Sequence, residues 1–303
     1  MTFSSDHLLK QVDIINQDNY VFGNEVLYQM CSDMYKLLPR DKEDISAIKR
    51  LGSAIWLIGR SYSASPERRK WAQNSDDGLG DFFWNLAVRM TSTEEYDTFR
   101  TEICNINTKN YEYDRSDEDI ELLIASVRCV KTLNEMIMKA IQTMDESEAV
   151  RNNVSFCSKF LHFLVPDVFF IIDSYSNNGG KALFKKKDKM YLKITGNSVE
   201  DQIEIGDEAI KLFKDFYIFG DPSRQVIDEV GWNKRLLPPQ KKISEYSSAE
   251  KNIREYWHHV TRGYSLAYWL KKKQKKCAPQ INGDPSSCYM PRLVDSILMR
   301  IKQ

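Results

Sequence analysis

Lys159, His162 and Asp173 are the residues of this chain whose types and spacing best suit chemistry. They stand in one of its most apolar stretches, Asn152 to Tyr175 (NNVSFCSKFLHFLVPDVFFIIDSY), where a charged group is costly unless it is used or paired. A lysine in such surroundings loses its charge more readily, and a neutral amine is a nucleophile. An aspartate on the following element can orient that amine, activate water or stabilise a cationic transition state. Another reading of the same residues is structural. Lys159 would then snorkel to solvent, His162 would be a satisfied core histidine and Asp173 would cap a helix.

Other groups suit ligand binding. Arg60, Arg68 and Arg69 bracket a small-residue turn (RSYSASPERR) and offer planar forks of donors to a phosphate, although Arg68 and Arg69 also fit the first turn of a solvated helix. Lys181 and Lys185 belong to a basic run, Lys181 to Lys189, with Phe184 and Tyr191 interleaved, which suits a nucleic-acid backbone or a plain solvated face. Tyr256, His259 and Arg262 are spaced three apart and share a helix face. No metal-ligand spacing is evident, and no cofactor is expected: His258 and His259 point apart, and Walker, HExxH and GxSxG motifs are missing.

The elements that position these groups read as helices. Phe156, Phe160, Phe163 and Leu164 recur at helical spacing, with Ser155 as a candidate cap and Pro166 as the stop. Val168 to Ile172 is a short apolar run that periodicity leaves open between a buried strand and an extended lead into the next helix. Helical patterns also cover Asn19–Leu38, Asp44–Tyr62, Asp81 to about Met90, Ile120–Met144, Val199–Phe219, Ser247–Leu270 and the tail, with Pro291 in its first turn. Gly52 and Gly59 inside the second of these suggest close approach of another helix, and Arg292 and Asp295 lie three apart and should pair. Ser174 to Gly180 reads as a flexible loop, and Pro222 to Gln240 as a connecting excursion.

The expected class is mainly all-α, with two helical lobes enclosing a central cleft: residues 1–148 and residues 149–303. The chain of 303 residues is 42% hydrophobic, enough for a substantial core. Lysine plus arginine equals aspartate plus glutamate at 43 each, so contact with nucleic acid would need a local basic patch. Six cysteines without a C-x-x-C pair read as reduced thiols, and no apolar run is long enough to span a bilayer. A cytoplasmic location with no membrane partner is expected.

In its order of turn, helix with lysine, proline-containing apolar segment and aspartate, the central stretch resembles the helix-hairpin-helix DNA glycosylases of the 8-oxoguanine type. SKFLHFLVPDVFFIIDS is also similar to glycosylase-like proteins encoded beside bacterial anti-phage signalling systems. The resemblance implies a helix-hairpin-helix fold and action on a modified purine in nucleic acid, DNA before RNA. It also implies a protein partner from a defence operon. Lys159 would be the Schiff-base nucleophile and Asp173 the carboxylate that helps expel the base, with His162 near them on the lysine helix.

Two departures separate the chain from that pattern. The family's hairpin is glycine-rich so that backbone N–H groups can reach a phosphate, whereas Val154 to Ser158 holds no glycine. The lysine-to-aspartate gap, 173 − 159 = 14 residues, is short for the family. The second expectation is therefore a catalytically silent binding module for nucleic acid, a nucleotide or a partner protein, in which Arg60, Arg68 and Arg69 matter more than Lys159.

Overall fold

Amphipathic helices pack around the helix that carries Lys159. The computed structural model describes residues 22–32, 37–62, 64, 66, 78–114, 116–144, 152–187, 189–192, 248–272 and 289–300. In chain order its elements are α1 (Phe22–Cys31), α2 (Ile45–Ser61), α3 (Gly78–Thr91), α4 (Tyr96–Ile106), α5 (Asp117–Met144) and α6 (Val154–Leu164). They continue with α7 (Ser174–Leu183), strands β1 (Phe184–Lys187) and β2 (Lys189–Leu192), α8 (Ser248–Lys272) and α9 (Met290–Arg300). The strands form an antiparallel hairpin with Phe184 opposite Leu192. The remaining described elements are helical, as the mainly all-α expectation requires. The expected helix Val199–Phe219, the excursion Pro222–Gln240 and the lobe boundary at 148/149 lie outside the described residues.

Helix α6 packs against α1, α2, α5 and α8, so it is the inner helix of the group. Phe156, Phe160, Leu161 and Phe163 are buried on it, in the same core cluster as Leu133 and Ile137 of α5 and Val260 and Tyr264 of α8. Its start differs from the expected one. Asn153 is the N-cap, the Asn152 carboxamide oxygen accepts from Val154 N at 2.9 Å, and Asn134 Oδ1 accepts from Asn153 N at 2.7 Å. Ser155 already lies within the helix and uses its hydroxyl elsewhere.

Two glycines report close backbone approach. A Cβ on Gly52 of α2 would sit 3.0 Å from the Phe83 carbonyl oxygen of α3, which is the helix contact its position suggested. A Cβ on Gly179 would run into the Leu298 carbonyl of α9, so α7 and α9 meet backbone to backbone there. That contact corrects the flexible loop expected at Ser174–Gly180. The segment is helical because Asp173 caps it and because the glycines let α9 lie against it, two effects that outweigh the poor intrinsic helix propensity of Asn-Asn-Gly-Gly. Helix α3 also begins earlier than expected, at Gly78, with Asp81 inside it. Helix α1 ends at Cys31, short of Leu38.

Candidate lysine–aspartate site

The run Val168–Ile172 is buried but joins neither helix nor sheet. Buried backbone groups must find partners; the Val168 and Phe169 N–H groups donate to Val165 O, and side chains serve others. His162 Nδ1–H donates to Phe169 O at 2.7 Å, the Tyr256 hydroxyl donates to Phe170 O at 3.0 Å, and His259 Nε2–H donates to Ile171 O at 2.7 Å. The Ser155 hydroxyl donates to Ile172 O at 2.9 Å, while Ser158 Oγ accepts from Ile172 N at 3.1 Å. Phe170 presses against Gly263 so closely that a Cβ there would lie 2.7 Å from its ring. Thus α6 and α8 hold the extended run between them, and its far end delivers Asp173.

This arrangement revises three candidate ligand-binding residues. His162 is fully buried, and a carbonyl can only accept, so its Nδ1 carries the proton and its Nε2 accepts from the Tyr28 hydroxyl at 2.6 Å. Tyr256 and His259 are likewise buried and act as partners of the run. The shared face of Tyr256, His259 and Arg262 exists, but it faces the core. Burial holds both imidazoles neutral, pushing His162 down to about 3 and His259 down to about 4.

Such histidines make the fold acid-sensitive. The unfolded chain takes up their protons below pH 6.5, the folded chain only near their depressed values. The stability they permit is therefore complete above pH 6.5 and is lost as pH falls toward 4 for His259 and toward 3 for His162. Each costs about 1.4 kcal/mol per pH unit in that window. Urea midpoints at pH 7 and pH 5 should differ clearly in the wild-type chain. The difference should shrink when His259 is replaced by glutamine, which keeps a donor; an unchanged difference would remove His259 from the account.

Lys159 does not snorkel. It is 2% exposed, donates to Ser155 Oγ at 3.1 Å, and stands 3.9 Å from Asp173 Oδ2 and 5.7 Å from the centre of the Tyr62 ring. Burial, opposed by Asp173 and Asp295 and reinforced by Arg292, lowers its affinity for a proton below that of an ordinary lysine. Asp173 does two things at once. Its Oδ1 accepts from Tyr175 N at 2.9 Å and Ser176 N at 2.8 Å, capping α7, while its Oδ2 faces the amine. One carboxylate thus caps a helix and faces the amine.

The C-terminal helix brings two more charges. Arg292 Nη1 donates to Asp295 Oδ2 at 2.6 Å, the pairing their spacing suggested, and the guanidinium carbon lies 5.8 Å from the centre of the same Tyr62 ring. Sequence reasoning paired Arg292 with Asp295 but missed them as neighbours of Lys159. A signal was present: Asp295 shares a helix face with Pro291 and Leu298, a carboxylate on an apolar stripe.

The remaining candidates fall elsewhere. Arg60 ends α2 with an exposed side chain, and Arg68 and Arg69 lie outside the described residues. Lys181 pairs with Glu255, which also accepts from Asn177 at 2.8 Å, so it ties α7 to α8. Lys185 falls on β1. Arg262 is buried beside Glu255, and its Nε and Nη1 meet no acceptor among the described residues. No cluster of metal-ligating side chains occurs among the described residues, and none of their helices is long and apolar enough to cross a membrane. No protein-family model, curated protein or solved structure matches this chain.

Proposed function

We propose that the chain is an N-glycosylase with lyase chemistry, acting on a modified purine such as 8-oxoguanine or a related guanine in DNA in preference to RNA. The observation that supports this reading is the buried Lys159 amine held 3.9 Å from the Asp173 carboxylate, where burial lowers its affinity for a proton. In the proposed reaction the neutral amine attacks the sugar C1′. The C1′–N9 bond breaks, and the base leaves with the electron pair and takes up a proton. Asp173 offsets the positive charge that develops on the sugar. Loss of an amine proton and opening of the C1′–O4′ bond give an iminium to Lys159. Loss of a proton from C2′ then expels the 3′-phosphate. The target base must leave the stack first, which costs a few kcal/mol in a duplex and less at a damaged pair.

The test is borohydride trapping with oligonucleotides that carry 8-oxoguanine, an abasic site or no lesion. Hydride reduces the iminium to a stable secondary amine, so the expected result is a covalent adduct on a lesion-bearing strand that Lys159→Gln eliminates. No adduct on any strand, or an adduct that survives the substitution, defeats the assignment.

A second reading has its own observation. Asp173 caps α7 and Lys159 donates to Ser155, so both residues already serve the fold. A catalytically silent binding module for nucleic acid, a nucleotide or a partner protein would keep such a network. It predicts no adduct, together with a salt-dependent affinity for oligonucleotides that Lys159→Gln leaves intact.

A further inference from the structure

We propose that the Arg292–Asp295 pair of α9 is the second half of the lysine site, and that Asp295 is the positioning residue that sets whether the Lys159 amine is charged. This rests on the reading of Lys159 as a nucleophile, since only the uncharged amine can attack carbon.

The geometry is a shared ring with a charge on each approach. Tyr62, at the end of α2, has the Lys159 ammonium position 5.7 Å from its ring centre and the Arg292 guanidinium carbon 5.8 Å from the same centre. Arg292 is bound to Asp295 at 2.6 Å. Asp295 is 2% exposed; the Ser176 hydroxyl gives its carboxylate weak support, and its Oδ1 meets no full hydrogen bond among the described residues. A buried carboxylate short of donors is costly, and the helix that carries it meets α7 backbone to backbone at Gly179 and Leu298, one turn further along α9.

The groups that face this amine come from three sides. Asp173 approaches from the start of α7, Asp295 and Arg292 from α9, and Tyr62 from α2. Behind Arg292 lie Tyr28 of α1, Tyr289 before α9, and His162 of α6. His162 stays neutral and Tyr28 stays protonated across the ordinary pH range, because burial disfavours the charged form of each. The charges that count are therefore Lys159, Arg292, Asp173 and Asp295.

Their signs make Asp295 decisive. Asp173 and Asp295 favour the ammonium, whereas burial and Arg292 oppose it. When Asp295 is neutral, the amine has Asp173 alone in its support and Arg292 against it, so it releases its proton more readily. Burial pushes the Asp295 carboxyl up to about 6, so its own titration falls close to neutrality. Near that pH a modest change in proton activity alters the field on Lys159 while Asp173 remains in place as the cap of α7.

Nuclear magnetic resonance of the full chain labelled at lysine Cε and Nζ reads this directly, with the Lys159 signal identified by its loss in Lys159→Gln. In the wild-type chain the Lys159 signal should show a second inflection near pH 6, where Asp295 takes its proton. Asp295→Asn should remove that inflection and lower the amine's own midpoint by roughly one unit. Arg292→Met should raise the midpoint, because a like charge has gone. Removal of opposite charges with opposite effects is not what a general loosening of the fold produces. A wild-type signal with no inflection near pH 6 overturns the proposal even where Asp295→Asn fails to fold; so do midpoints that move the same way in both variants. The titration needs no substrate. An inflection without any trapped adduct would therefore defeat the glycosylase reading and leave the Asp295 assignment standing.

Discussion

Replacing Asp173 with alanine is expected to lower stability by about 2–4 kcal/mol, and replacing it with asparagine by about 1–3 kcal/mol. The two variants differ because the carboxylate does two separable things. Oδ1 caps α7 through Tyr175 N and Ser176 N, a role an asparagine oxygen can still fill. Loss of such a cap costs about 1 kcal/mol. Oδ2 faces the buried Lys159, and neither variant replaces that charge. Stripping a buried ion of its partner costs about 3–5 kcal/mol when the ion has no escape. Lys159 has two: it can shed its proton, and Asp295 still faces it. That is why the charge part of the expected loss, about 1–3 kcal/mol, sits at or below the lower end of the range.

Urea unfolding of wild type and both variants at pH 7 checks the division. Equal loss in the alanine and asparagine variants would mean that the cap contributes nothing. Both within about 0.5 kcal/mol of wild type would mean that Asp173 does not compensate the amine, since surface substitutions away from special features usually fall within that margin. If the glycosylase reading is correct, both variants should also yield far less trapped adduct, because each lacks the charge that offsets the developing cation.

Gly179→Ala should do more damage than its single added carbon suggests. The new Cβ would fall onto the Leu298 carbonyl, 2.7 Å from its carbon, and a helix backbone cannot rotate out of the way as a side chain can. Helices α7 and α9 must separate, at an expected cost of about 3 kcal/mol or more even after the gain of about 1 kcal/mol in helix propensity. The neighbouring Gly180→Ala is the control. Its Cβ would lie 3.4 Å from Arg262 Cδ, a contact that a flexible side chain can relieve, so the propensity gain should leave it neutral or slightly stabilised. Calorimetric melting of the two variants should rank them widely apart, and similar melting would mean that the α7–α9 contact is not tight in solution. Because α9 carries Arg292 and Asp295, Gly179→Ala should also weaken the influence of that pair on Lys159.

The sequence by itself determined the mainly helical class, because the 3.6-residue recurrence of Leu, Ile, Val and Phe in α2, α5 and α6 has a meaning that needs no partner. It also singled out Lys159 and Asp173, since a charge in an apolar stretch is expensive wherever the stretch ends up. The Arg292–Asp295 pairing was legible for a similar reason: three residues apart on a helix are neighbours in any fold.

What only the tertiary structure decided were the contacts between residues distant in the chain. Val168–Ile172 was ambiguous in sequence because the partners of its carbonyls from Phe169 onward are the side chains of His162, Tyr256, His259 and Ser155, supplied from both sides by α6 and α8. The same contacts turned His162, Tyr256 and His259 from candidate ligand residues into supports for the run. The segment Ser174–Gly180 reads as a loop by its composition, and only the approach of Leu298 more than a hundred residues later explains why Gly179 sits in a helix. Arg292 and Asp295 joined Lys159 for the same reason. Local periodicity encodes which face of a helix is buried, but not which other helix will cover it, and the charge state of a buried amine depends on the covering helix.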